Sequence, residues 1–174
     1  MKDNIPKEIN ERLTYFQDEV KKQFAFLTEF AYSLDEIDMG REDFLEYYSK
    51  LIFKNGNTSI NINYETDIIK GHTLRFPEVK ERPVIDNLIS CFITDPNAFL
   101  SVSSFAESKQ LLPSTKYFNI ELNAININDE ILRVVRNYST FFQDNLVAVL
   151  KKEKIYNAYT DRFYDKIFKE IHYR

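Results

Sequence analysis

The strongest structural signal in this sequence is residues 51–64, LIFKNGNTSININY. The central pair Asn55-Gly56 accepts the positive φ values that a two-residue type I′ turn requires. After the turn, Ile60 and Ile62 alternate with asparagines, which is typical of a strand with one buried face. The stretch therefore predicts an antiparallel β-hairpin.

Two further strands are expected around this hairpin. The turn at Lys70-Gly71 predicts a third strand from His72 to Phe76, which would complete a small meander. Alternation of apolar and polar residues over 118–124 predicts a fourth strand. The sheet is thus expected to be small and antiparallel, with three or four strands.

A long amphipathic helix is predicted over residues 5–31. Its apolar residues are three or four positions apart, so they share one face: Ile9, Leu13, Phe16, Val20, Phe24, Leu27 and Ala31. Phe26 and Phe30 widen this stripe. We therefore expect the helix to pack against the sheet.

The second half of the chain is expected to be mainly helical. One helix is predicted after Pro83, ending at Asp95-Pro96, whereas residues 97–112 fit either a helix or an irregular buried segment. Another helix is expected from a cap at Asn126 or Asn128 to Leu150. A last helix is predicted from the four-residue spacing of its apolar positions: Ile155, Tyr159, Phe163, Ile167 and Ile171. With 174 residues, no repeat and no linker, residues 1–174 are expected to form a single α+β domain.

The composition excludes several classes of site. Three glycines, at least 15 residues apart, leave no glycine-rich phosphate-binding loop. One cysteine excludes an internal disulfide, and two histidines 100 residues apart lack metal-ligand spacing. Cys91 stands among apolar residues, which favours a core position over a reactive thiolate. No catalytic residue, metal site or cofactor is therefore predicted from motifs.

The net charge and the search for targeting segments also limit the expected partners and location. The 23 Lys and Arg against 27 Asp and Glu leave a net charge of −4, which gives no overall attraction to nucleic acid or anionic membranes. Residues 151–174 are locally basic, but the helical spacing of their aromatic residues favours a core-facing stripe over base stacking. The N-terminus lacks the apolar segment of a signal peptide, and no apolar run approaches the ~20 residues that span a bilayer. A cytoplasmic location is expected.

The densest charge lies in residues 33–46, with six carboxylates against one arginine. The segment contains Asp38-Met39-Gly40, which is read as a break in regular structure, so a surface loop is predicted. Either the loop is simply solvated, or it is a negatively charged docking surface.

Residues 24–32, FAFLTEFAY, resemble the end of the N-terminal helix in a group of small bacterial proteins, some of them of the toxin-immunity type. Residues 51–65 are similar to the hairpin that follows in that group, and residues 129–171 to its two C-terminal helices. Ala31 stands where the group usually has a turn glycine. The resemblance implies a non-enzymatic binding protein, in some members a toxin neutraliser, and it transfers no catalytic residue.

A neutraliser of this kind requires a binding surface. Toxins that attack nucleic acids are commonly basic because they hold phosphates, so an acidic segment would attract them. Tyrosines beside the segment would serve as anchors, or would instead close the core. The predicted partner is another protein, with a basic toxin as the specific expectation. The predicted partner-binding residues are Asp35, Glu36, Asp38, Glu42, Asp43, Tyr47 and Tyr48.

Two alternatives remain open at this level. Carboxylates and tyrosines that meet only in the fold would form an enzyme site with no sequence signature. A self-associating structural protein would account for an aromatic content of 15%. The sequence leaves the oligomeric state open.

Overall fold

Five antiparallel strands form the main sheet of this protein, and helices pack against one of its faces. The computed structural model describes residues 5–41, 46–69, 84–96, 98–114, 116–121, 126–157 and 162–165. In chain order the elements are α1 (Lys7–Gln23), a 3₁₀ helix (Ala25–Phe30), β1 (Ser33–Arg41), β2 (Glu46–Asn55), β3 (Thr58–Ile69), β4 (Val84–Asp95), β5 (Ala98–Ser101), α2 (Val102–Ser108), α3 (Ile127–Asn145), α4 (Val147–Leu150), β6 (Lys154–Asn157) and β7 (Arg162–Asp165).

The sheet has the strand order β1-β2-β3-β4-β5, so β1 and β5 are its two edges. Leu51, Ile62 and Cys91 are cross-strand partners and are buried on the same face, which we call the inner face. The opposite face is the outer face. The predicted α+β class and N-terminal helix are confirmed, whereas the expected three or four strands are corrected to five.

The helices of both halves meet over the inner face. Gln17 of α1 donates a hydrogen bond from Nε2 to Ser49 Oγ of β2 at 2.9 Å. Ser139 of α3 donates from Oγ to the backbone oxygen of Gln23 at 2.8 Å. The ring of Phe24, which follows α1, contacts the rings of Phe53 in β2 and Phe142 in α3. The core is therefore a single helix-on-sheet layer rather than a helix bundle.

The N-terminal helical stripe is buried as predicted from Ile9 to Leu27, whereas its last predicted member, Ala31, is exposed, and the helix is shorter than residues 5–31. α1 ends at Gln23, and the chain continues as the 3₁₀ helix. Ala31 then takes a left-handed conformation with φ of 59°. Glycine adopts this conformation most easily, so the alanine occupies a turn position that favours glycine.

The β2–β3 hairpin is confirmed. Asn55 pairs with Thr58 across the turn, and Gly56 has φ of +59° as the predicted turn requires. β3 continues past Tyr64 to Ile69. The predicted third strand, His72–Phe76, lies outside the described residues.

The helix predicted after Pro83 is wrong, because Val84–Asp95 forms β4 beside β3. Its apolar residues occur on both faces: Ile89 is buried on the inner face, while Leu88 is 49% exposed on the outer one. A strand with apolar residues on both faces lacks the period of two and resembles a helix in sequence. Residues 97–112, left open above, contain β5 and α2.

The helix predicted from Asn126 to Leu150 is confirmed as α3 and α4, with a break at Leu146. Asn126 caps α3, since its side-chain oxygen accepts from the Asn128 N–H at 3.1 Å. The last predicted helix is wrong over its described part, where β6 and β7 form a second, two-stranded antiparallel sheet. Among the described helices, none has the length and apolar character needed to cross a membrane.

The strand predicted over 118–124 is absent from its described part, residues 118–121. Phe118 is buried, and its ring stacks on that of Tyr138 with centroids 4.0 Å apart. Arg133 donates to the backbone oxygens of Lys116 and Asn119 at 3.1 and 2.7 Å. A side chain of α3 therefore takes the carbonyl groups that a neighbouring strand would otherwise pair.

Candidate functional site

Over its described residues, 33–41 and 46, the acidic segment is strand and not the predicted surface loop. Residues 33–41 form β1, an edge of the main sheet that pairs antiparallel with β2. Six consecutive residues of β1, Ser33 to Asp38, are exposed. In the described part of the chain, β2 is the sole strand that pairs with β1. This exposed edge is the candidate functional site.

The side chains of β1 divide between the two faces of the sheet. Ile37 pairs with the buried Leu51, which places it on the inner face. Glu36 and Asp38 therefore point to the outer face, because successive side chains of a strand alternate. A β-bulge between Leu34 and Glu36 inserts Asp35 as an extra residue. The carboxylates of β1 are thus grouped towards the outer face of the sheet.

Asp35 is paired with a lysine of the neighbouring strand. Its Oδ2 lies 2.6 Å from Lys54 Nζ, and both side chains are more than two-fifths exposed. The hydrogen bond and the charge of Asp35 raise the pKa of the Lys54 ammonium group. An exposed pair of this kind contributes little to stability, so its main effect is to reduce the net negative charge of the edge.

Asp38 accepts two hydrogen bonds at the centre of the edge. Tyr48 Oη donates to Asp38 Oδ2 at 3.0 Å, and the Met39 N–H donates to Asp38 Oδ1 at 2.9 Å. Lys50 is its cross-strand partner in the register. The carboxylate is therefore held in one orientation although the residue is exposed.

Tyr48 lies across β1 above a glycine. A Cβ atom on Gly40, its cross-strand partner, would be 2.9 Å from Tyr48 Oη and 3.1 Å from Cζ. The absence of a side chain on Gly40 therefore lets the ring reach Asp38. The residue that reads as a strand breaker in the sequence makes room for a cross-strand contact.

The remaining predicted residues are placed differently. Tyr47 is 5% exposed and belongs to the core, with the Arg41 guanidinium 5.8 Å from its ring centroid. It closes the core, as the alternative interpretation expected, and is no part of the exposed edge. Glu42 and Asp43 lie outside the described residues. The structure thus brings together Asp35, Glu36, Asp38 and Tyr48.

Sequence reasoning missed the apolar part of the edge. Leu34 and Ile37 are 39% and 44% exposed, although both point to the inner face. The helices cover the inner face over β2 and β3 but leave these two side chains half open. The alternation over residues 36–39, acid-apolar-acid-apolar, is the sequence signal that would have predicted this arrangement.

The edge combines exposed carboxylates with partly exposed apolar side chains. Among the described residues, no group of three or more His, Cys, Asp and Glu side chains is placed to hold a metal ion. Comparison with known proteins yields no matching family model, curated protein or solved structure.

Proposed function

We propose that this protein is a non-enzymatic binding module that holds a basic partner protein at the β1 edge, in the manner of an immunity-type protein that neutralises a toxin. The observation that carries the proposal is the run of exposed residues Ser33–Asp38, with three carboxylates on a rigid strand. Such a surface attracts cationic proteins and speeds their encounter.

The local charge balance supports recognition more than indiscriminate attraction. Lys54 partly neutralises Asp35, and Lys50 lies opposite Asp38, whereas Glu36 has an apolar cross-strand partner in Ile52. Fixed charges of both signs favour a partner with a matching pattern and disfavour others. Binding is expected to weaken with added salt, because the charges are exposed.

The enzyme alternative has one observation in its favour, the contact between Asp38 and Tyr48. Catalytic pairs usually lie in concave sites that exclude water, and Asp38 is exposed on the edge of a sheet. Here the tyrosine fits better as a group that orients the carboxylate toward a partner.

The test compares two charge-reversed variants that change net charge equally. The site variant carries Asp35→Lys, Glu36→Lys and Asp38→Lys, and the control carries Glu11→Lys, Asp18→Lys and Glu29→Lys at exposed helical positions. Each chain is immobilised, and native lysate is passed over it at low and high salt. Thermal melts check that both variants fold.

We expect a stoichiometric basic protein to be held by the wild type and the control, released by salt, and bound at least about tenfold more weakly by the site variant. Equal retention by the site variant would remove the β1 edge from the function. Retention of no protein by any of the three chains would also contradict the proposal.

A further inference from the structure

We propose, on the basis of the binding function above, that β1 takes up an extended segment of the partner as an additional strand of the main sheet. The geometry further points to a segment that alternates basic and apolar residues. Strand addition of this kind uses backbone hydrogen bonds for affinity and alternate side chains for specificity.

The backbone of β1 is accessible where such a strand would add. The strand is nine residues long and is the first in the sheet order. Ser33 to Asp38 are exposed, so the edge of β1 that faces away from β2 is open over six residues, a length similar to an average strand. Most proteins shorten or cover an edge of this length because it pairs readily with other chains.

The contact at Met39 indicates which amides face outward. Its N–H donates to Asp38 Oδ1 at 2.9 Å. The two-residue hairpin loop makes Asn55 and Thr58 a hydrogen-bonded pair, so alternate residues of β2, Ile52 and Lys50, bond towards Glu36 and Asp38 of β1 instead. Because the peptide groups of successive residues point to opposite sides of a strand, the N–H of Ile37 lies on the same side as that of Met39. We infer that these two amides face away from β2, toward an added strand.

The side chains of β1 specify the pattern of the added segment. On the outer face it would lie beside Glu36 and Asp38, which favour lysine or arginine. On the inner face it would lie beside Leu34 and Ile37, whose half-exposed side chains favour apolar neighbours. A strand alternates its faces at every residue, so the matching segment alternates basic and apolar residues.

A second copy of the chain does not fit this pattern. Antiparallel pairing of two β1 strands about Ile37 would set Glu36 of one copy opposite Asp38 of the other. Like charges directly opposite each other are destabilising in a sheet. The same acids that attract a basic segment therefore oppose pairing of the edge with itself.

Asp38 and the bulge protect the edge when no partner is bound. The carboxylate occupies the Met39 N–H, and the bulge interrupts the regular spacing of the strand. A basic side chain placed beside Asp38 would compete for its carboxylate and release the amide. Basic segments would thereby be selected over neutral ones.

The experiment uses two synthetic peptides of equal charge and composition, Lys-Val-Lys-Val-Lys-Val-Lys and Lys-Lys-Lys-Lys-Val-Val-Val, titrated into the full chain at low salt. Affinities are measured by NMR titration, and hydrogen exchange is followed at each β1 amide. We expect the alternating peptide to bind at least about tenfold more tightly than the block peptide. We also expect it to slow exchange at Ile37 and Met39 by at least about tenfold.

Two variants separate backbone pairing from charge. Ile37→Pro removes an outward N–H and is expected to abolish the preference for the alternating peptide, whereas Ile37→Ala keeps the N–H and most of the preference. The hydrogen-exchange measurement uses the wild-type chain, so it still tests strand addition if the proline variant does not fold.

Equal affinity for both peptides without slowed exchange would overturn strand addition and leave a charge-based binding function intact. No binding of either peptide would also count against it. A dimer that the alternating peptide dissociates would show that a second copy is the natural occupant, which contradicts the charge argument. Failure of the charge-reversal test above would instead remove the binding function itself.

Discussion

Tyr48 and Gly40 are cross-strand partners, and the tyrosine hydroxyl oxygen lies 2.9 Å from where a Cβ atom of residue 40 would stand. Gly40→Ala is therefore expected to push the ring away and break its hydrogen bond to Asp38. We expect a loss of about 1–2 kcal/mol in the free energy of unfolding, measured by chemical denaturation.

A double-mutant cycle tests the cause of this loss. In the Tyr48→Ala background the ring is gone, so adding Gly40→Ala is expected to cost less than about 0.5 kcal/mol. An equal cost in both backgrounds would show that the alanine acts through the backbone and not through the tyrosine ring.

Arg133 is expected to hold residues 116–119 in place. It donates to the backbone oxygens of Lys116, Tyr117 and Asn119, so Arg133→Ala should lower the free energy of unfolding by about 2 kcal/mol. Cleavage by a protease within this segment should become faster. Arg136→Ala, at an exposed position of the same helix, is the matched control and is expected to change stability by less than about 0.5 kcal/mol. Equal effects of the two variants would contradict this role.

Glu130, which pairs with Arg133 on α3, predicts that the stability of the fold depends on pH. Hydrogen bonds from the Arg133 guanidinium lower the pKa of Glu130. A lowered pKa stabilises the fold above the unfolded-state pKa of roughly 4.3, and the contribution is lost as the pH falls through the folded-state value. Glu130→Gln should therefore be less stable than the wild type by about 1 kcal/mol at pH 7, and the difference should disappear in acid. A difference that does not change between pH 7 and pH 3 would contradict this assignment.

Cys91 is expected to be chemically inert in the folded protein. It is 1% exposed, and burial raises the pKa of its thiol. Because the thiolate is the reactive form, a disulfide reagent at pH 8 should label the native chain only at the rate of opening or unfolding. Denaturant should make labelling complete at once. Rapid labelling without denaturant would place the thiol in a different environment.

The sequence was sufficient to predict an element where its turn or cap residues and the period of its apolar residues indicated the same structure. The Asn55-Gly56 turn lies between strands of period two, and the residues after Asn126 follow a helical period behind a cap. In both places the local preference and the packing against the core require the same conformation. These elements were predicted correctly.

The sequence was ambiguous where the spacing of the apolar residues fits both a helix and a strand. Steps of four residues from Ile155 to Phe163 keep side chains on one face of a helix, but four is also a multiple of two. The described parts of that segment are strands. In β1, Asp35 at the bulge separates Leu34 and Ile37 by three positions, which conceals the alternation of the strand.

The candidate site was predicted only in part. Acidic residues at 35, 36 and 38 were visible as a charge cluster, and they lie together on the edge. Their neighbours Lys50 and Lys54 come from the partner strand, so only the pairing register reveals them. The core position of Tyr47 and the outer position of Tyr48 likewise follow from register, which the sequence of β1 did not provide.

The hairpin turn also has a consequence for the order of events during protein synthesis. Lys152 Nζ donates to Asn55 O at 2.6 Å and to Asn55 Oδ1 at 2.9 Å, across a separation of 97 residues. At a translation rate of about 5–20 residues per second, the lysine is made roughly 5–20 s after the turn. A hairpin that forms before Lys152 has been synthesised therefore lacks this contact. The turn that is easiest to identify in the sequence is among the last parts of the fold to acquire all of its hydrogen bonds.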